Sequence, residues 1–423
     1  MPATQSTRGR KHICYRLLHA EKRSECGTAA LRDGHQWTRG RSAMKAVVVG
    51  GGIAGLAAAI GLRSAGIEVE VLERRAEPAA EGAGISLFGN GFTALDAIGA
   101  GDAVRTICAS HPPPGQAGIR RPDGTWLSRT GPAVAERMRI VHRAELLDAL
   151  RNCLPNGAIR WSFDVRELVE DDTHVVVRST CGESVDADLV VAADGIGSRI
   201  RGSWPHDPGT EYVGYSAWRG ISRRPVDIGG AGGETWGNGL RFGYAPLRDG
   251  RVYWFAVATM QPAPVSDLQL QKTLTLLEKW HDPIGRILRA TSPQAIFWLP
   301  IHALRQTAPT FARGRVALLG DAAHAMTPDL GQGANQAFED AATLATLLAR
   351  AVDVSDLTDA LERYDSLRRP RTATVASRAR RIGALAHPRM PWLTPLRDLL
   401  MRAVPDSLVD RQALALQSWR PPK

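Results

Sequence analysis

The chain of 423 residues is long enough for two or three domains, each with its own core. With 44% hydrophobic and 23% charged residues it reads as a globular protein, and no run of about 18 apolar residues marks a membrane span. Cys14, Cys26, Cys108, Cys153 and Cys181 lie scattered with no C-x-x-C pair, which points to neither a disulfide framework nor a metal site and fits a reducing, cytoplasmic compartment. The net charge of +10 suggests nucleic acid until it is located: residues 1–43 hold nine Lys/Arg against three Asp/Glu. Only a small surplus is left for the rest, so no nucleic-acid partner is expected.

Residues 1–43 show no hydrophobic periodicity and no apolar signal core. They are expected to form a disordered basic extension, and a chain beginning at Met44 should keep cofactor and activity. From Lys45 the pattern changes. A β-branched strand turns through Gly50, Gly51 and Gly52, passes Ile53, Ala54 and Gly55 into an alanine-rich helix, and returns as a strand ending on Glu73. Strand, G-x-G-x-x-G, helix, strand and acid is the order a dinucleotide site requires. Gly50 permits the turn, Gly52 lets backbone approach a pyrophosphate, and Gly55 lets helix and strand pack closely. Glu73 is the expected acceptor for ribose hydroxyls and would repel a 2′-phosphate, so this half-site suits FAD or NAD.

Further along, Arg121-Pro122-Asp123-Gly124 predicts a hairpin, and Ile140–Leu154 reads as a strand running into a helix with leucines at helical spacing. An apolar strand at 189–193 delivers Asp194-Gly195 at its carboxyl end, where open α/β sheets bind ligands. Across 206–300 helical periodicity gives way to short aromatic strands, the sign of an antiparallel domain that can wall a flat apolar ligand. A buried strand then leads to Gly320-Asp321, a loop, and a long helix beginning near Gly333; the remainder is helical and Arg-rich. The expected fold is α/β: a Rossmann-like domain in two parts (44–205 and 301–350), an inserted β-rich domain (206–300), and C-terminal helices (351–423).

Three separated motifs carry a resemblance. They are Gly50-x-Gly52-x-x-Gly55 with Glu73, Asp194-Gly195-x-x-Ser198-x-x-Arg201, and Gly320-Asp321-Ala322-Ala323-His324 followed by Pro328, Gly331-Gln332-Gly333 and Asn335. In this order they resemble the single-component FAD-dependent aromatic hydroxylases, the p-hydroxybenzoate hydroxylase-like monooxygenases, over 44–385. Tyr212–Gly220 resembles the salicylate hydroxylase, urate hydroxylase and zeaxanthin epoxidase branch. The resemblance implies FAD, with Glu73 on the adenosine ribose, Arg74 near the adenine, Arg143 on the flavin side, Asp194 near the pyrophosphate and Asp321 on the ribityl hydroxyls. It also sets Gly331, Gly333, Ala334 and Asn335 at a helix N-terminus against the isoalloxazine N1–C2=O edge, where positive dipole favours the reduced anion, and Ala54 beside the glycine turn.

The implied reaction has NAD(P)H reduce the flavin and O₂ form a C4a-hydroperoxide. Oxygen then passes to a small aromatic or polyene-like substrate by hydroxylation or epoxidation. Pro328 is expected to shape the loop facing the flavin, and His324 to order that loop rather than move protons. The substrate-wall candidates are Tyr215, Arg219, Tyr244 and Trp254. Arg219 alternates with Trp218, so one faces the pocket and the other does not; which one is open from sequence. Two rival readings remain. One is a same-fold FAD oxidoreductase that is not an oxygenase (reductase, dehydrogenase or halogenase); the other is a non-catalytic FAD-fold escort. The halogenase signature W-x-W-x-I-P is missing, since Trp298-Leu-Pro-Ile301 does not fit it, and an escort need not keep the intact Gly320-Asp321 and Gly331-Gln332-Gly333. Oligomeric state and the choice of NADH or NADPH are not written in these motifs.

Overall fold

The computed structural model describes residues 44–78, 83–109, 117–171, 173–262, 267–351, 354–388 and 390–423; the reading of 1–43 lies outside them. A six-stranded sheet is ordered 312–313, 316–318, 189–192, 45–49, 68–72 and 159–160. Its central strands are parallel, with Val49 beside Ala192 and Ala192 beside Leu318. Val47, Val48, Val71, Leu189, Val190 and Val191 are wholly buried, as β-branched runs are when helices cover both faces. This register has a consequence for function. Three strands end level, so the turns after Val49, Ala192 and Leu318 emerge side by side at one sheet edge.

The alanine-rich helix Ile53–Ser64 packs against the helix Gly333–Leu348, and small residues allow the approach: a Cβ on Gly61 would lie 3.0 Å from Ala345 Cβ. The predicted hairpin forms, with Gly124 N donating to Arg121 O at 2.9 Å and Gly124 at φ +87°. The strand-to-helix reading at 140–154 appears as strand Arg139–His142 and helix Arg143–Asn152.

The second sheet has seven strands, ordered 297–304, 210–221, 252–259, 240–246, 232–236, 117–120 and 126–129. It is not confined to 206–300, because the hairpin strands Ala117–Arg120 and Trp126–Arg129 complete its edge and Phe297–Leu304 runs past the expected boundary. Period-two alternation sorts its faces. Trp218, Phe242, Tyr244 and Trp254 pack against Leu277, Ile284 and Ile287 of the helices behind it. Arg219, Tyr253, Phe255 and Val257 point the other way, toward the first sheet. Tyr244 and Trp254 are therefore core rather than substrate wall. Trp254 Nε1 donates to Thr291 Oγ1 at 2.9 Å inside that core.

Candidate active site

A cavity of ≈ 440 Å³ lies between the level strand ends and the open face of the seven-stranded sheet, within the size range of ligand pockets. Its glycines divide into two kinds. Gly50 sits at φ +106°, and a Cβ there would lie 2.4 Å from Ala193 O; one on Gly55 would lie 1.8 Å from Gly50 O. These two glycines are demanded by the protein's own packing. A Cβ added to Gly52, Gly195 or Gly333 would meet nothing within 4 Å; at this cavity they leave space for a guest. Gly320, at φ +58°, is held bare by Ala54, since an added Cβ would come within 2.6 Å of Ala54 Cβ.

The polar groups around this cradle suit a dinucleotide. Glu73 Oε2 accepts from Gly51 N at 2.6 Å and Oε1 from Arg75 N at 3.0 Å, fixing the carboxylate beside the glycine turn. Arg74 is exposed and does not line the cavity. Asp194 Oδ2 accepts from Arg199 N at 3.0 Å, while its Oδ1 is buried with no hydrogen-bond partner. Burial raises the Asp194 pKa against the hydrogen bonds that lower it. Asp321 opens into the cavity; its distance from bulk water raises its pKa, with His324 and Arg143 opposing. An orphaned acceptor, an open carboxylate and a strip of bare glycine backbone fit FAD's hydroxyls and pyrophosphate.

Gly52→Val tests this division. It is expected to leave the apo fold intact, since the new side chain meets no protein atom, yet to weaken FAD affinity by roughly two orders of magnitude. Fluorescence titration checks it; unchanged affinity would place the pyrophosphate elsewhere.

The rest of the second motif, Ser198 and Arg201, is scaffolding. Ser198 Oγ accepts from Arg201 N at 3.0 Å, and buried Arg201 donates to Ala322 O at 3.0 Å and Ile196 O at 2.9 Å. Arg201 thereby ties the Asp194 turn to the Asp321 turn. His324 orders its loop, as its chain position suggested: Nε2 lies 2.6 Å from Asp340 Oδ2, which also accepts from Gly320 N at 3.0 Å.

Gly333 and Ala334 begin the helix Gly333–Leu348 at the cavity, where first-turn N–H groups have no partner within the helix. Asn335 does not reach the cavity. Its Nδ2 donates to Ser86 O and Gly331 O at 3.0 and 3.1 Å, and its Oδ1 accepts from Phe88 N at 2.9 Å. Its side chain thus holds two loops against the helix start. One turn deeper, Arg368, 1% exposed, donates to Asp340 Oδ1 at 2.7 Å, Glu339 Oε2 at 2.5 Å and Gln336 Oε1 at 2.9 Å. Asn90 bridges Glu339 and Gln332 at 2.7 and 2.9 Å. No motif announces this buried network, because its members come from three segments far apart in the chain.

On the opposite wall Arg219 faces the cavity and Trp218 the core, which resolves the alternation. Arg219 Nε is buried without a partner. Arg143 lines the same cavity, and its pKa is lowered by burial and by the charges of Arg75 and Arg219. Two guanidiniums thus face the cavity with no ion pair among the described residues.

Tyr215 lies on the cavity side of its strand, but its hydroxyl donates to Asp329 Oδ2 at 2.5 Å and its ring stacks on His387 at 4.6 Å. It is covered, not a free wall residue. Burial, then the Asp329 carboxylate, push its pKa up. Pro328 lines the cavity at the start of the turn Pro328–Leu330, and Asp329 anchors that turn to Arg241 Nη2. Arg241, fully buried yet lining the cavity, also lies 3.5 Å from Glu234 Oε2. Sequence reasoning missed Arg241, Glu234, Tyr253 and Phe255. The alternation Tyr253, Phe255, Val257 was visible, but which phase faced the ligand was not.

His387 carries a pH signature. Burial, then the charge of Arg241, push its pKa down from 6.5 to about 3. A base held neutral in the fold and free to protonate when unfolded contributes stability that is complete above pH 6.5. That stability is lost as pH falls toward 3, by about 2 kcal/mol at pH 5. Urea denaturation at pH 5, 6 and 7 should show this slope in the wild type and a flatter one in His387→Leu; equal slopes would refute the assignment.

A parallel sheet with a glycine cradle, an open helix N-terminus and a facing antiparallel wall defines a flavin-binding oxidoreductase. The comparisons agree. Residues 43–379 match the family model described as FAD binding domain. The chain is 32% identical over 382 residues to aurachin C monooxygenase/isomerase of Stigmatella aurantiaca, covering 88% of this chain and 97% of that protein. It is 31% identical over 365 residues to FAD-dependent urate hydroxylase of Klebsiella pneumoniae, covering 83% and 92%. The structure of Klebsiella pneumoniae HpxO complexed with FAD and uric acid superposes with a TM-score of 0.78 at 28% identity, covering 88% and 96%. The chain belongs to the FAD binding domain family, and it is an FAD-dependent monooxygenase of the aromatic hydroxylase type. Among the described residues no helix is long and apolar enough to cross a membrane, and no acidic, His or Cys cluster could hold a metal ion.

Proposed function

We propose that this monooxygenase takes a small, flat, electron-rich aromatic or heteroaromatic substrate that is anionic or readily made so, and works in the cytoplasm with NAD(P)H and O₂. The observation that carries this is the charge balance of the cavity, lined by Arg143, Arg219 and Arg241 against Glu234 and Asp321. Arg241 is paired with Glu234 and Asp329, whereas Arg143 and Arg219 have no ion pair among the described residues, beside the aromatic side chains Tyr253 and Phe255. An anion there offsets the burial, and then the charges of Arg75 and Arg219, that lower the Arg143 pKa. A relative named for urate, an acidic heteroaromatic, supports the class.

Bound FAD supplies the oxygen activation, with electrons from NAD(P)H; the chain supplies position and charge. Glu73 and Asp321 bind ribose and ribityl hydroxyls, and Gly52 admits the pyrophosphate. The N–H groups of Gly333 and Ala334 favour negative charge at the flavin N1 edge by about 0.3–2 kcal/mol. Tyr253 and Phe255 orient the substrate ring and keep water out. Arg241, held by Asp329 and Glu234, favours the deprotonated form of a phenol or ring N–H and so the electron-rich nucleophile. Arg219 holds an anionic substituent.

The test is a panel of aromatic acids, phenols and purine-like heterocycles given with NAD(P)H to FAD-loaded protein. Oxygen uptake, hydroxylated product and leaked peroxide are measured together. Product formation, with Arg219→Met raising KM for anionic members more than for neutral ones, is the expected result. Reduction of the flavin without substrate-stimulated oxygen transfer, or no preference for anions, would overturn it.

A further inference from the structure

The helix Thr394–Ala403 is packed inside out. Its charged pair is buried: Arg397 donates to Asp398 Oδ1 at 2.6 and 2.9 Å and to Gly237 O at 3.2 Å. Met401 packs inward against the Leu127 and Trp236 cluster, but the leucines of the helix face water. Leu396, Leu399 and Leu400 are open, the last two at 66% and 57%, in line with Trp392 at 71% one turn before. Positions 392, 396, 399 and 400 form one stripe at helical spacing. Met390, Val404, Leu408 and Val409 extend it.

Ordinary surface helices do the reverse, and the polar groups of this segment explain why this one cannot turn over. Asp406 Oδ1 accepts from Arg129 N at 2.9 Å, and Asp410 Oδ1 from Gly131 N at 3.0 Å. Every strong polar tether is on the inward side, so the apolar side is committed outward. A water-facing stripe of eight large apolar residues, concentrated in twenty positions, is what an interaction surface looks like.

Two features select the occupant. The open side-chain surface is on the order of 800 Å², taking roughly 150–250 Å² for a large side chain left wholly open, which is what one partner gives to an interface of standard size. Between positions 390 and 409 the stripe is also nearly uncharged: among the described residues Arg402 is the one exposed cation there, with Asp406 beside it and Arg411 just beyond. A bilayer-seeking helix would carry a cationic collar. A neutral leucine stripe with a tryptophan anchor matches instead the centre of a protein interface, and the surface available in equal amount with the same shape is a second copy of this chain.

We propose that the Trp392–Val409 face is a two-fold homodimer interface, each copy laying its stripe on the same stripe of the other. The interface bears on the site through Arg397, which is bonded to the turn at Gly237 between the strands carrying Glu234 and Arg241. Dimerisation would brace that hairpin without adding a residue to the cavity.

Sedimentation equilibrium of the full, FAD-loaded chain at micromolar concentration is the test. The expected mass is twice the 45.7 kDa of one chain. Leu399→Asp with Leu400→Asp should weaken the dimer roughly a hundredfold while keeping bound FAD, since both positions are solvent-facing in the single chain; Trp392→Ser should do the same independently. A wild type that stays monomeric, variants that remain fully dimeric, or a monomer that co-sediments with phosphatidylglycerol vesicles would each overturn the proposal.

Discussion

Arg368→Met is expected to cost about 3–5 kcal/mol of stability, the range for removing one partner of a buried ion pair, and to release FAD. The arginine is the single cation between Glu339 and Asp340 that touches both. Without it Glu339 keeps Arg371, Asp340 keeps only His324 and the Gly320 N–H, and Gln336 Oε1 loses its donor. Because Gly320 precedes Asp321 and Gln332 precedes Gly333, the damage reaches both cofactor-facing turns through Asp340 and Asn90. Arg368→Lys restores the charge without the planar fork and should recover part of the stability. Urea denaturation and FAD titration read the two effects separately. Loss of stability with unchanged FAD affinity would show that the network supports the fold but not the site.

Asp329→Asn should lower kcat/KM by roughly a hundredfold, the scale of losing one preorganised electrostatic contact, while FAD stays bound. The aspartate holds Arg241 on one oxygen and the Tyr215 hydroxyl on the other. An asparagine can still accept from Tyr215, so the Pro328 turn keeps its anchor, but Arg241 loses its closest counter-charge and its fixed aim. The loss should fall mainly on kcat for substrates that must be deprotonated. If the variant loses FAD instead, Asp329 shapes the cofactor loop rather than the substrate charge.

The cofactor half of this site was legible in the chain because its signals are local. The glycine turn, Glu73, Asp194 and the Gly320-Asp321 turn each sit where one strand meets the next segment, and backbone sterics demand the glycines there. Even so, two motif members read differently in three dimensions. Asn335 faces loops rather than ligand, and Arg201 belongs to a strut between turns. A motif records that a residue is needed, not which neighbour needs it.

The substrate half was scarcely legible. Tyr244 and Trp254 look like pocket aromatics, yet strand phase turns them into the core with Trp218. Tyr215 has the right phase but is claimed by Asp329, 114 positions away. Period-two alternation divides a strand into two faces without naming the wet one, and that choice is made only when another layer packs against the sheet.

By itself, then, the order of residues determined the α/β frame and the glycine turn of dinucleotide type, since each follows from short-range periodicity and backbone geometry. Tertiary structure alone decided that Arg241, Tyr253 and Phe255 form the wall, that Arg368 underpins the cofactor turns, and that a helix presents its leucines to water. Those outcomes depend on contacts between residues 28 to 249 positions apart, which no local pattern encodes.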